Sequence, residues 1–215
     1  MTDVGSGAPA KTPTLIVSGA PGITPTRADD GTTLAHLQGP GAAVRQVIAA
    51  YALRECRHII EIGGAGLPIT RFLQHSPQSV TVIDPKISAL DSVTLNSQSC
   101  RVRHLAQKFQ EGCLDLPGAG LGVVMLGLSL RTFGGAPAVT DALIALCRRA
   151  ECVVTEYSVG LARAGDQAPR LIAECGLAIV FSVDLVIRDG QIEQSGHGER
   201  RLTVLKPAAA GSRSA

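Results

Sequence analysis

From residue 41 onward, short apolar runs alternate with stretches of helical period. Val44, Val47, Ile48, Tyr51 and Ala52 recur at the spacing of one helix face, which predicts an amphipathic helix from Gly41 to Arg54. Strands are predicted at His58 to Ile62, Val80 to Ile83, Arg101 to Leu105, Gly122 to Leu126, Cys152 to Glu156, Ala178 to Ile187 and Arg201 to Leu205. Helical stretches are predicted between them at about residues 68–75, 86–95, 137–149 and 166–175. Runs such as Val123-Val124-Met125-Leu126 show no period-two alternation, as expected for strands covered on both faces. Residues 188–200, between the last two strands, are polar and glycine-rich without helical period. A parallel crossover normally needs a helix, so this pair is expected to form an antiparallel hairpin. The pattern predicts an α/β fold: a doubly wound, seven-stranded, mostly parallel sheet closed by that hairpin.

The ends are different. Residues 1–40 read as an irregular arm, since Pro21, Pro25, Gly31, Gly39 and Pro40 forbid a long element, although Leu15-Ile16-Val17 suits a short strand. Residues 41–207 are expected to form the folded domain and 208–215 a disordered tail. A chain of 215 residues is long enough to bury its own core without disulfide staples. The six cysteines form no C-x-x-C pair and have no histidine at zinc spacing, so buried free thiols in a reducing cytoplasm are expected. No signal-like leader and no run of 18 apolar residues occurs, so a membrane partner is not expected. With 20 basic and 18 acidic residues the net charge is +2, too small to argue for nucleic acid. Four Phe, two Tyr and no Trp leave few rings for stacking on bases, which points away from a nucleic-acid partner as well.

Two local signals carry chemistry. His58-Ile59-Ile60-Glu61-Ile62-Gly63-Gly64-Ala65-Gly66-Leu67-Pro68 is a buried strand running into a glycine-rich turn, where the backbone can approach a ligand closely. Asp84 closes the next strand, about 20 positions on, where an acid can accept hydrogen bonds from both hydroxyls of a ribose. Asp84 can equally cap the helix expected after Pro85, but turn and acid together favour a nucleoside site.

With these residues, the stretch from about 42 to 207 resembles the class I S-adenosylmethionine-dependent methyltransferases. Glu61-Ile62-Gly63-Gly64-Ala65-Gly66 approximates the family's first motif, which implies that the turn lies against the methionine part of the cofactor and that Glu61 helps position its amino group. The resemblance assigns Asp84 to the ribose, and Gln107 with Leu126 and Gly127 to the adenine pocket. Ala65 and Leu67 replace two of the family's glycines, and Gln107 stands where many members carry an acid. A dinucleotide is disfavoured, because Gly64-Ala65-Gly66-Leu67-Pro68-Ile69 lacks the third glycine of G-x-G-x-x-G and Glu61 would face two phosphates.

The acceptor is expected outside the carboxyl ends of the strands. Glu156, Tyr157 and His36 are the candidate catalytic residues there, and Tyr51, Ser129 and Arg131 the candidate substrate-binding residues. Each has a plainer role open to it: Glu156 can pair with an arginine, Tyr157 can anchor to backbone, and Arg131 can be a solvated loop charge. Glu156 stands alone without the clustered acids of metal-dependent members, so no metal is expected. The expected activity is methyl transfer from S-adenosylmethionine to an oxygen or nitrogen of a small polar molecule, with a homodimer left open. An inactive methyltransferase-like binding subunit is the alternative, and an NAD(P)-dependent oxidoreductase a more remote one.

Overall fold

The computed structural model describes residues 12–18, 39–63, 67–111, 114, 116–126, 137–159, 167–188 and 199–208. Its strands are β1 (Thr14–Ser18), β2 (His58–Ile62), β3 (Ser79–Ile83), β4 (Leu90–Leu95), β5 (Gln98–Leu105), β6 (Leu121–Met125), β7 (Cys152–Ser158), β8 (Ala178–Arg188) and β9 (Glu199–Lys206). Its α-helices are α1 (Gly39–Ala52), α2 (Pro137–Arg148) and α3 (Ala168–Glu174). No helix among the described residues is long and apolar enough to cross a membrane.

All nine strands form one sheet in the order β1-β8-β9-β7-β6-β2-β3-β5-β4. The seven expected strands are present, and two more extend the edges. β1 is the Leu15-Ile16-Val17 segment, lying parallel to β8. β9 inserts antiparallel between β7 and β8, so the terminal hairpin is as expected. The five central strands, β5, β3, β2, β6 and β7, are parallel.

Alternation of side chains across this parallel block separates two cores. Ile59, Val80, Val82, Val124 and Val154 pack with Ala49 and Ala50 of α1 and with Leu53 just beyond it. Ile60, Ile62, Ile83, Val123, Met125 and Val153 pack with Leu143, Ile144 and Cys147 of α2 and Leu171 of α3. Burial on both faces is why these strands read as continuous apolar runs. Cys56, Cys100, Cys147, Cys152 and Cys175 are buried free thiols.

Three expectations need correction. Residues 86–95 are not helical: β4 occupies 90–95 and turns into β5 through Asn96 and Ser97, whose φ values of 51° and 63° make a two-residue hairpin turn. β-branched Val93 and Thr94 suit the strand, and Asn tolerates the left-handed turn. Residues 68–75 form only a 3-10 turn at Ile69–Arg71; the Leu73 carbonyl accepts Asn96 Nδ2 at 2.8 Å in place of a helical amide. The helix over 39–52 exists, and Val44, Ile48 and Ala52 pack against the core as expected, but its most buried positions are Arg45, Gln46, Ala49 and Ala50, while Val47 is 55% and Tyr51 69% exposed.

Gly122 shows how tightly α1 lies on the sheet. A Cβ there would stand 2.4 Å from Leu53 Cδ2 and 2.9 Å from Cys56 Sγ, both buried. Gly122→Ala is therefore expected to lower stability by about 1–3 kcal/mol in urea unfolding, the usual cost of overpacking; an unchanged midpoint would contradict this packing.

Candidate functional site

The strand order reverses beside β2: the chain moves outward through β3 and β5, then returns to β6 on the other side. Crevices of open α/β sheets form at such a switch point, beyond the carboxyl ends of the strands. Here Leu105, Ile83, Ile62, Met125 and Thr155 stand in register across five strands. Backbone hydrogen bonds continue past them, from Gly63 N–H to the Ile83 carbonyl at 2.9 Å and from Asp84 N–H to the Leu105 carbonyl at 3.1 Å. Gly63 leaves β2 with φ of 96°, in the left-handed region that a side chain resists.

The turn after Gly63 is held by a carboxyl group. Glu61 is 1% exposed; Oε2 accepts the Ile69 N–H at 2.7 Å and Oε1 accepts Gln46 Nε2 at 2.8 Å. Gln46 Nε2 also donates to the Leu67 carbonyl at 2.6 Å. One helix residue and one strand residue thus grip both the backbone before and the backbone after Pro68. Gln46 must direct its nitrogen at these two acceptors, which leaves its Oε1 buried and without a hydrogen-bond partner. Burial pushes the Glu61 carboxyl up to about 8, opposed by the hydrogen bonds from Ile69 and Gln46 and reinforced by the charge of Asp84.

The neighbouring helix residue does the equivalent on β7. Glu156, 1% exposed, takes Arg45 Nη1 at 2.9 and 2.8 Å on its two oxygens and Arg200 Nε at 2.6 Å. Glu156 is therefore the hub of a buried ion cluster with its oxygens engaged by two guanidinium groups. Proton abstraction by it would require breaking those pairs. On the opposite face of the same strand, Tyr157 is half-buried beside Arg201, whose guanidinium is gripped by Asp184 at 2.7 and 2.9 Å.

Of the other residues expected from sequence, Asp84 sits half-buried at the crevice with Oδ1 accepting the Lys86 N–H at 2.7 Å. Gln107 follows the end of β5 and Leu126 that of β6, both half-buried. Tyr51 is not brought to the crevice: it lies on the outer face near the carboxyl end of α1, with the Arg54 guanidinium 4.3 Å from its ring centre. His36, Gly64, Ala65, Gly66, Gly127, Ser129 and Arg131 lie outside the described residues. Arg45, Gln46 and Arg200 were not singled out by the sequence reading. The available signal for the first two was an adjacent polar pair one turn ahead of Ala49-Ala50 on the same helix stripe.

No family model matches this chain, and no curated protein sequence does. Among solved structures, the N-methyltransferase NodS from Bradyrhizobium japonicum WM9 is similar with a TM-score of 0.53 at 14% identity, over 78% of this chain and 95% of NodS. NodS in complex with S-adenosyl-L-homocysteine gives 0.53 at 15% identity, over 84% of this chain and 93% of that one. The O-methyltransferase TomG from Streptomyces achromogenes, in complex with S-adenosylmethionine, gives 0.46 at 15% identity, over 80% and 81%. The likeness to NodS shows that this chain has the class I methyltransferase-like fold.

The raised Glu61 carboxyl makes stability pH-dependent in a definite direction. Between 4.5 and about 8 the folded chain keeps a proton that the unfolded chain has released, so stability falls as pH rises through this window and levels above it. Glu61→Gln should remove a slope of up to about 1.4 kcal/mol per pH unit, read from urea midpoints at a series of pH values. Identical slopes in the two proteins would show that Glu61 ionises in the fold as it does in the unfolded chain.

Proposed function

We propose that the chain is an S-adenosylmethionine-dependent methyltransferase acting on an oxygen or nitrogen of a small polar molecule. The observation that carries this is the pinned turn at the switch point: Gly63 in a glycine conformation, Glu61 buried beneath it, and Asp84 one strand away. The donor set suits the cofactor. The buried Gln46 Oε1 needs a donor, which an ammonium group provides, and Asp84 stands where a ribose would offer hydroxyls. In this reading Gln46 and Glu61 hold the amino-acid end of the cofactor, Asp84 the ribose, and Gln107 and Leu126 the base. Bound there, the cofactor supplies an electrophilic methyl group. The chain would supply orientation, which for an in-line displacement is the larger part of catalysis. Tyr157, half-buried at the end of β7, is the described candidate for contact with the acceptor.

A second reading rests on Glu156. With that carboxylate engaged by Arg45 and Arg200, no free general base stands at the end of β7 among the described residues. An acceptor that arrives as a neutral amine needs none, whereas a hydroxyl acceptor would, so a binding subunit without turnover fits the same geometry. Calorimetric titration with S-adenosylhomocysteine tests the cofactor, and Asp84→Ala is expected to weaken binding by about 1–3 kcal/mol. Absence of binding at high micromolar ligand would sink the methyltransferase reading. Binding without methyl transfer to any fraction of a metabolite extract would select the second.

A further inference from the structure

A cavity of about 380 Å³ opens at the amino ends of the strands, opposite the edge that carries Gly63 and Asp84. Its floor is set by strand register. His58, Ser79 and Arg101 stand side by side at the amino ends of β2, β3 and β5, and Ile60, Thr81 and Arg103 form the next row inward. Ile60 faces the α2 side, so both rows lie on that face of the sheet. The connection from β5 to β6 puts no α-helix over this part of the sheet among the described residues, only a 3-10 turn at Phe109–Glu111. Leu114, Leu116 and Pro117 of that connection line the cavity instead. Asp115, between them in sequence, lies outside the described residues.

The lining combines an apolar surface with a set of side-chain donors. Arg101, Arg103, His58, Ser79 and Thr81 line the cavity together, and none of the described lining residues is acidic. Neither Arg101 nor Arg103 forms an ion pair among the described residues, although Asp91 stands opposite Arg103 in the β4–β5 register. His58 Nδ1 and Ser79 Oγ are 2.9 Å apart, so the hydroxyl is ordered at the cavity's edge. Two other sheet arginines are paired, Arg200 with Glu156 and Arg201 with Asp184. Two sheet arginines left without such partners on one concave surface are chemically suited to an oxyanion, which planar guanidinium forks bind in a bidentate manner. The volume suits a small ligand, and the leucine and proline wall suits an uncharged organic body.

We propose that this cavity is a second ligand site that takes a small organic phosphate, held by Arg101 and Arg103 with His58, Ser79 and Thr81 completing the donor shell. It lies about five strand residues from the crevice, on the order of 15 Å, and is independent of the methyltransferase reading. Calorimetric titration of the full chain with inorganic pyrophosphate, adenosine monophosphate, citrate and a single-stranded oligouridylate tests it. Saturable one-site binding of pyrophosphate and the nucleotide is expected, weakened about tenfold or more in Arg101→Gln/Arg103→Gln. Arg101→Gln alone, at an exposed position that the fold does not need, should weaken binding in the same direction. Absence of saturable phosphate binding, or binding that ignores both substitutions, overturns the site. Equal or tighter binding of citrate overturns the phosphate assignment, and tighter binding of the oligouridylate through the same arginines overturns a small occupant.

Discussion

One turn of helix α1 holds the carboxyl ends of two strands. Arg45 is bound to Glu156 of β7, and Gln46 to Glu61 of β2, with β6 lying between those strands. All four side chains are buried. A carboxyl group taken out of water is tolerated only when its oxygens are matched by donors, so neither strand end can move away from the helix without leaving a buried group unpaired. Truncating one partner of a buried charged pair typically costs about 3–5 kcal/mol, which is comparable to the whole stability of many domains. The helix is thus fixed in both position and rotation by two polar contacts, and its small residues Ala49 and Ala50 let it sit close enough to make them.

The crevice follows from that constraint. With Glu61 also accepting the Ile69 amide, the backbone beyond the glycine-rich segment is fixed close to the end of β2, which the chain leaves through Gly63 with a positive φ. Asp84 and Gln107 are carried to the same edge by strand register alone. A site made in this way is preorganised, since its backbone is held by groups already buried before any ligand arrives. The opposite end of the same strands has a different origin. There a hairpin strand and a short crossover take the place of longer helices, and polar side chains of β3 and β5 are left facing a cavity.

Much of the fold was legible because burial on both faces writes itself as continuous apolar runs. His58–Ile62 was placed to the residue, and the hairpin of β8 and β9 followed from the polar segment between them. The glycine turn and Asp84 were legible as a pair because both sit at strand ends, where spacing along the chain maps onto proximity. The rotation of α1 was legible only in part: Val44, Ile48 and Ala52 pack inward, but the face also buries a charge and an amide while Val47 and Tyr51 point out. A hydrophobic pattern cannot identify polar residues whose partners are more than a hundred positions away, as Glu156 is from Arg45. β4 was misread for a related reason: it is an edge strand with exposed Leu90 and Val93, so it lacks the buried alternation that identifies a strand.

Site-resolved amide exchange in Gln46→Leu, compared with the unaltered chain, tests this account most directly. If the helix clamps the turn, the Ile69 amide should exchange about tenfold faster or more in the variant, while central amides such as those of Val80 and Val123 keep their protection. Unchanged exchange at Ile69, or equal acceleration at all three positions, would contradict the clamp.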